Sequence, residues 1–222
     1  MARTVVSAFS LSLDGFAAGP SQGPDHPLGL GGLDLHQWFF RQKSFPAMRG
    51  AGDAAHQIDA EHADKALDGS GAFIMGRHMF GPQRGPWTDD GWNGWWGPNP
   101  PWHAPTFILT HHPRDPIVME GGTTFHFVTG GIHDALDQAR KAAGGRNVQI
   151  AGGVATIRQY LLADLIDDLQ LSFTPILLGQ GESLLPDIDL KARGFAIVDR
   201  AIGAHALHVT LRRTPLHESA AA

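Results

Sequence analysis

Apolar and polar positions along this chain alternate between two rhythms, one with the period of a strand and one with that of a helix. Residues 4–13, rich in Val, Phe and Ser with partial two-residue alternation, predict a first strand ending at the turn signal Asp14-Gly15. Apolar runs at 73–75, 106–110, 124–128 and 148–150 predict further strands, and 169–178 a longer one. Helical character marks 33–40, 58–67 and 132–143, the last with Ile132, Leu136 and Ala139 on one face. Short helices are expected from Arg77 and over 154–163, each directly after a strand and a glycine. Two terminal strands, 195–198 and 206–212, join around Gly203. Strands alternating with helices, then a closing hairpin, predict an α/β fold. Its mixed sheet is expected to be parallel in the centre and antiparallel at the C-terminal edge, with helices on both faces. With no solenoid repeat and no dividing linker, residues 1–222 are expected to form a single domain.

Two segments break the rhythm, at about 19–57 and 82–105. The first is heavy in Gly and Pro. The second holds five of the chain's six tryptophans between Trp87 and His103. Irregular stretches of this length inside a compact domain often carry function. Clustered tryptophans can stack on a flat ring, close as a lid, or pack within the protein or against another subunit, and the pattern leaves these readings open.

One local pattern occurs twice. Residues 72–80 and 147–157 each run a short apolar strand into glycine and then into a helix start. Glycine lets backbone or ligand approach closely where a strand ends, or simply permits a tight turn. The helix start beyond it offers unpaired N–H groups and a positive dipole end, which suit phosphate. Two such turns in one domain suit the two ends of a dinucleotide.

Composition narrows the function classes. With 222 residues, 42% hydrophobic and 18% charged, the chain has the make-up of an ordinary globular protein with a sizeable core. A net charge of −5 argues against a dedicated nucleic-acid binder. No apolar run reaches the length of a membrane span, and the first residues read as a strand rather than a signal peptide, so a cytoplasmic protein is expected. The absence of cysteine excludes disulfides, thiolate zinc sites and cysteine nucleophiles. Thirteen histidines raise the question of a metal, yet none of their spacings fits a His-Glu-x-x-His helix pair. His111-His112 sends adjacent side chains to opposite faces of a strand, so no metal is expected.

The motifs themselves carry a resemblance. Ile74-Met-Gly-Arg-His78 resembles the strand-to-helix turn of dihydrofolate reductase, and Ile150-Ala-Gly-Gly-Val154 resembles that enzyme's Gly-Gly turn. Ser10-Leu-Ser-Leu-Asp-Gly15, Leu165-Ile-Asp-Asp-Leu169 and Pro175-Ile-Leu-Leu-Gly179 before Gly181 are more similar to the C-terminal reductase domain of the bifunctional riboflavin-pathway deaminase-reductase. The resemblance covers roughly residues 3–213. It implies a dihydrofolate reductase-like sheet and an NADPH-dependent reductase, of the 5-amino-6-(5-phosphoribosylamino)uracil reductase type or the dihydrofolate reductase type. Hydride transfer would reach a small heterocyclic, carbonyl or imine substrate. A non-catalytic NADP(H)-binding sensor or accessory protein on the same fold is the alternative. The Pro-Cys-x-x-Cys zinc signature of the pathway enzyme's deaminase half is not in this sequence. Both irregular segments also depart from the pathway enzyme.

Carried over residue by residue, the resemblance implies cofactor contacts at Gly152, Gly153, Val154, Ala155 and Thr156 for the diphosphate. Gly76, Arg77 and His78 would flank the adenosine end. Thr110, His111 and His112 match the place where the adenosine ribose phosphate is held, with Arg114 adding charge nearby. Ala17 completes the cofactor set. Two carboxylates are candidates for chemistry. Asp14 reads by itself as part of a turn, and the resemblance gives it a substrate-orienting role. Asp59 falls on the same helical arc as Ile58, His62, Ala63, Ala66 and Leu67, and an inward carboxylate is costly unless paired or lining a cleft. It is also placed to be a helix N-cap, so both readings stand. Family habit and the tryptophan excess lead to the expectation of a homodimer that buries part of the Trp loop or the terminal strands.

Overall fold

The computed structural model describes residues 2–40, 54–67, 69–88 and 91–214. Parts of both irregular segments, 41–53 and 89–90, therefore lie outside the described residues. In chain order the strands are β1 (Thr4–Ser12), β2 (Phe16–Ala18), β3 (Ser70–Gly76), β4 (Pro105–Leu109), β5 (Ile117–Val118), β6 (Thr124–Val128), β7 (Asn147–Gly152), β8 (Asp168–Thr174), β9 (Glu182–Ser183), β10 (Phe195–Ile202) and β11 (Leu207–Arg213). The α-helices are α1 (Gln37–Phe40), α2 (Ala54–Asp64), α3 (Arg77–Phe80), α4 (Gly131–Ala143) and α5 (Val154–Leu162). A single-turn 3₁₀ helix, Gly32–His36, leads directly into α1. The fold is mixed α/β, mostly parallel, with antiparallel strands at the edge.

The described chain divides into two compact units. The first comprises residues up to 4 together with 69–160. Here β3 pairs in parallel with both β4 and β7, β4 pairs in parallel with β6, and the short β5 runs antiparallel to β6. Every residue of β3 is buried, as expected of a central parallel strand whose side chains are covered on both sides. Helix α4 turns Ala135, Leu136, Ala139 and Ala143 inward and ends at Gly144, whose φ of 58° supplies the left-handed cap. Phe73, Ile74, Ile108, Phe125, Ile150 and Tyr160 fill the core, and the Tyr160 hydroxyl donates to the Ile132 carbonyl at 2.8 Å.

The second unit comprises residues 5–68 and 161–222. β1 and β8 run in parallel, β11 pairs antiparallel with β8, and β10 pairs antiparallel with β11. The register of β1 slips between Val6 and Phe9, where Ala8 takes a φ of 50° and makes a bulge. Trp38 packs beside Ala8 and donates its indole N–H to Ser10 Oγ at 2.9 Å. Strand β8 ends at Thr174, before the expected Leu178, because Pro175 has no N–H to give a ladder. The terminal strands reach Ile202 and Arg213, further than their apolar runs indicated.

Candidate functional site

In the first unit, parallel pairing sets Ile74 opposite Ile150 and Met75 opposite Gly152, so the C-terminal ends of β3 and β7 lie side by side. The two glycine turns of the sequence thereby meet. A Cβ at position 76 would collide with the Thr156 hydroxyl, so only glycine allows this approach. The Gly152–Gly153 peptide is cis. The Gly153 carbonyl starts α5 by accepting the N–H groups of Thr156 and Ile157, both at 3.1 Å. The amides ahead of Thr156 have no intrahelical partner, and this end of the helix carries the positive end of its dipole. Val154 and Thr156 are buried and Ala155 is exposed. A side chain at Gly153 would meet nothing within 4 Å, so the surface of this turn is open.

Next to Gly76 stands a concentration of positive charge. The Arg77 guanidinium lies 3.8 Å from the centroid of the Trp87 ring, and that of Arg114 lies 5.0 Å from the same ring and 5.3 Å from Phe127. Each cation–π contact is worth about 0.5–2 kcal/mol, rising with desolvation. Arg77 Nε and Nη2 and Arg114 Nη1 are buried without a hydrogen-bond partner. Burial, Arg84 and Arg114 together push the Arg77 pKa down, and burial with Arg84 and Arg77 lowers that of His78. The loop after β4 closes the cluster. Trp87 Nε1 donates to the His112 carbonyl at 2.8 Å, and Thr110 Oγ1 accepts the His112 N–H at 3.1 Å. His78 and His111 are exposed. Of the expected adenosine-end residues, Gly76, Arg77, Thr110 and His112 are thus joined to one structure, through a tryptophan the sequence did not tie to them. The other loop tryptophans pack inside this unit: Trp92 donates to the Phe80 carbonyl at 3.0 Å, and Trp102 lies buried against Phe73 and Phe125.

In the second unit, Asp14 sits exposed where β1 ends. Its carboxylate accepts the N–H of Gly179 at 2.7 Å and of Leu178 at 3.2 Å, tying two of the sequence motifs together. The Ser12 hydroxyl and these amides hold its pKa below the ordinary carboxylate value. Ala17 is buried in β2, which pairs with β9.

Asp59 is not an N-cap. Helix α2 begins at Ala54, earlier than the expected 58, so Asp59 lies mid-helix and fully buried. Its Oδ1 accepts from His208 Nε2 at 2.8 Å, and its Oδ2 accepts the His205 N–H at 2.9 Å. His208 Nδ1 lies 2.9 Å from Ser172 Oγ, and all three side chains are buried. His62 stacks on His208 with centroids 4.1 Å apart and planes 4° apart, and Trp38 meets the same ring edge-on at 4.9 Å. Burial and the His208 ring push the His62 pKa down to about 4. A Cβ at Gly203 would collide with Asp59 Oδ1, so glycine is required there for the hairpin to approach. The inward register of Asp59 was legible from helical spacing. Its partner His208 was not, the signal being one histidine between Leu207 and Val209 in a strand.

Neighbouring parallel strand ends, each turning through glycine into a helix, with buried guanidinium donors beside the first, mark the candidate site of this α/β fold. The chain belongs to the RibD C-terminal domain family, whose model matches residues 3–211. Among solved structures, it is similar to a protein of Shewanella sp. PV-4 named provisionally for riboflavin biosynthesis. That likeness has 22% identity and a TM-score of 0.59, and covers 96% of this chain and 99% of the other. It is also similar to Acinetobacter baumannii RibD, with 16% identity and a TM-score of 0.52, over 96% of this chain but 58% of that one. No curated protein matches. Family membership supports a riboflavin-pathway reductase-like function, and the structural likenesses add the fold. No helix among the described residues is long and apolar enough to cross a membrane.

Proposed function

We propose that this protein is an NADPH-dependent reductase of the riboflavin-pathway type, acting on a small heterocyclic, carbonyl or imine substrate. The observation that carries this reading is the Arg77 guanidinium, whose buried Nε and Nη2 lack a partner beside a second guanidinium, Arg114. Buried donors without acceptors are costly, and an anion rich in acceptor oxygens relieves the cost. The ribose 2′-phosphate of NADPH is such an anion, and NADH lacks it. Gly76, Arg77, His78, Thr110, His111 and His112 would hold the adenosine end. The backbone of Gly152, Gly153, Val154 and Ala155 would hold the diphosphate, since the surface over Gly153 is open, while Thr156, its N–H taken by the Gly153 carbonyl, would close the turn behind them. Ala17 is a further proposed contact. The bound cofactor supplies the hydride, while the chain binds and orients.

Calorimetric titration of NADPH and NADH against wild type and Arg77→Ala tests the reading. One charge-assisted hydrogen bond is worth about 1.5–3 kcal/mol, so the wild type should prefer NADPH by roughly ten-fold or more. Arg77→Ala should remove that preference, and raised salt should narrow it. Gly153→Val, whose Cβ would meet nothing within 4 Å, should weaken both cofactors in the folded variant. Equal wild-type affinities, or equal losses in Arg77→Ala, would overturn the phosphate assignment.

One observation favours the non-catalytic alternative. Asp14 and Asp59, the carboxylates singled out for chemistry, are both engaged by protein partners. Cofactor absorbance followed with candidate pterins and pyrimidines separates the two, since tight NADPH binding without consumption marks a sensor. A homodimer is also proposed. Ile197, Val198, Ile202 and Leu207 are large exposed apolar residues on the β10–β11 hairpin, and a monomeric mass by light scattering at micromolar concentration would refute the dimer.

A further inference from the structure

We infer that Trp87 is a positioning residue for cofactor selectivity, its indole gathering the Arg77 and Arg114 guanidiniums into one anion-binding pair. The inference rests on the reading of the protein as NADPH-binding and goes beyond it, because Trp87 belongs to the irregular segment rather than to either glycine turn.

The ring is fixed before any ligand arrives. Its N–H is committed to the His112 carbonyl at 2.8 Å, which anchors it to the loop carrying Arg114. Phe80 and Phe127 meet it edge-on, with centroids 5.9 and 5.0 Å away and interplanar angles of 83° and 70°. Two like charges near one ring repel, and among the described residues neither Arg77 nor Arg114 has a carboxylate to compensate. A carboxylate would hold the guanidiniums by occupying their N–H groups. The π face holds them through its quadrupole and leaves N–H groups free. Arg77 Nε and Nη2 and Arg114 Nη1 are the groups left free. A phosphate monoester dianion supplies both the missing acceptors and the missing charge.

The test is binding, without turnover. Adenosine 2′,5′-bisphosphate and 5′-AMP differ by the phosphate at issue, and calorimetry gives the ratio of their affinities for each variant at low and high salt. Trp87→Leu should cut the wild-type ratio roughly ten-fold, the scale of one charge-assisted contact, with the loss falling mainly on the bisphosphate. Trp87→Phe keeps a π face and should restore most of the ratio. Arg114→Met, which leaves the ring in place, should lower both the ratio and its salt dependence. If Trp87→Leu does not fold, the Trp87→Phe and Arg114→Met pair decides. An unchanged ratio in Arg114→Met removes the paired site. If Arg77→Ala loses the ratio while Trp87→Leu keeps it, this inference fails and the cofactor reading stands. A wild type with no preference overturns both.

Discussion

The two units handle charged side chains in opposite ways. In the second, Asp59 is enclosed and both its oxygens are taken up by His208 and the His205 amide, with Ser172 completing the chain. In the first, Arg77 and Arg114 are held against an aromatic ring with donors left over. A satisfied polar network holds strands and helix in one arrangement. An unsatisfied cluster lowers stability and is kept where a ligand completes it. On the proposed reading, the contrast separates groups that hold the fold from groups that a ligand would complete.

The largest expected effect comes from breaking the satisfied side. Asp59→Ala removes one member of a buried pair and should cost about 3–5 kcal/mol of stability, measured by denaturant unfolding. A loss below about 1 kcal/mol would mean that the Asp59–His208 chain does not secure the hairpin. Gly76→Ala forces a methyl group onto the Thr156 hydroxyl and should cost about 1–3 kcal/mol. Arg77→Ala should behave differently, leaving stability unchanged or slightly raised in the absence of ligand while cofactor preference disappears. A destabilisation comparable to Asp59→Ala would show that Arg77 is structural and erase the contrast.

The titration of His62 sharpens the comparison on a smaller scale. Its folded pKa of about 4 lies below the ordinary 6.5. Between those values the unfolded chain binds more protons, so stability rises with pH from about 4 to 6.5 and is fully present above that window. With the half-exposed ring discounted for solvent screening, the total rise across that window amounts to on the order of 1 kcal/mol. His62→Phe should flatten that part of the pH profile, and an unchanged profile would assign it to other groups. Asp14 gives the smallest effect. Its folded pKa is depressed, so its hold on the 178–179 amides is present above its ordinary 3.8 and lost as pH falls through the lower folded value. Asp14→Ala should speed amide exchange at Leu178 and Gly179, with little change in global melting.

The parallel strands were legible because each is a short apolar run bounded by glycine or turn residues. The two-residue β5 and β9 are too short to leave a pattern, and the polar Asp199 and Arg200 hid the full length of β10. Leu177 belongs to an apolar run yet is 72% exposed, because Pro175 had already ended the ladder. At the candidate site, the two strand–glycine–helix turns at Gly76 and Gly152–Gly153 were visible as local spacing, whereas Arg77 entered through the resemblance. Trp87 did not, because its relation to Arg77 and Arg114 is made by a loop whose path no periodicity encodes. The Asp59–His208 link is invisible for a different reason: it joins residues 149 positions apart.

That separation has a consequence for how the chain is made. The first unit is nearly contiguous, residues 69–160 with only residues up to 4 beside them, whereas the second unit is assembled from segments on either side, 5–68 and 161–222. At about 5–20 residues per second, His208 is synthesised roughly 7–30 s after Asp59. Throughout that interval α2 carries a carboxylate without the imidazole that makes its burial tolerable. The first unit can therefore fold during translation, while the second waits for the last hairpin to leave the ribosome.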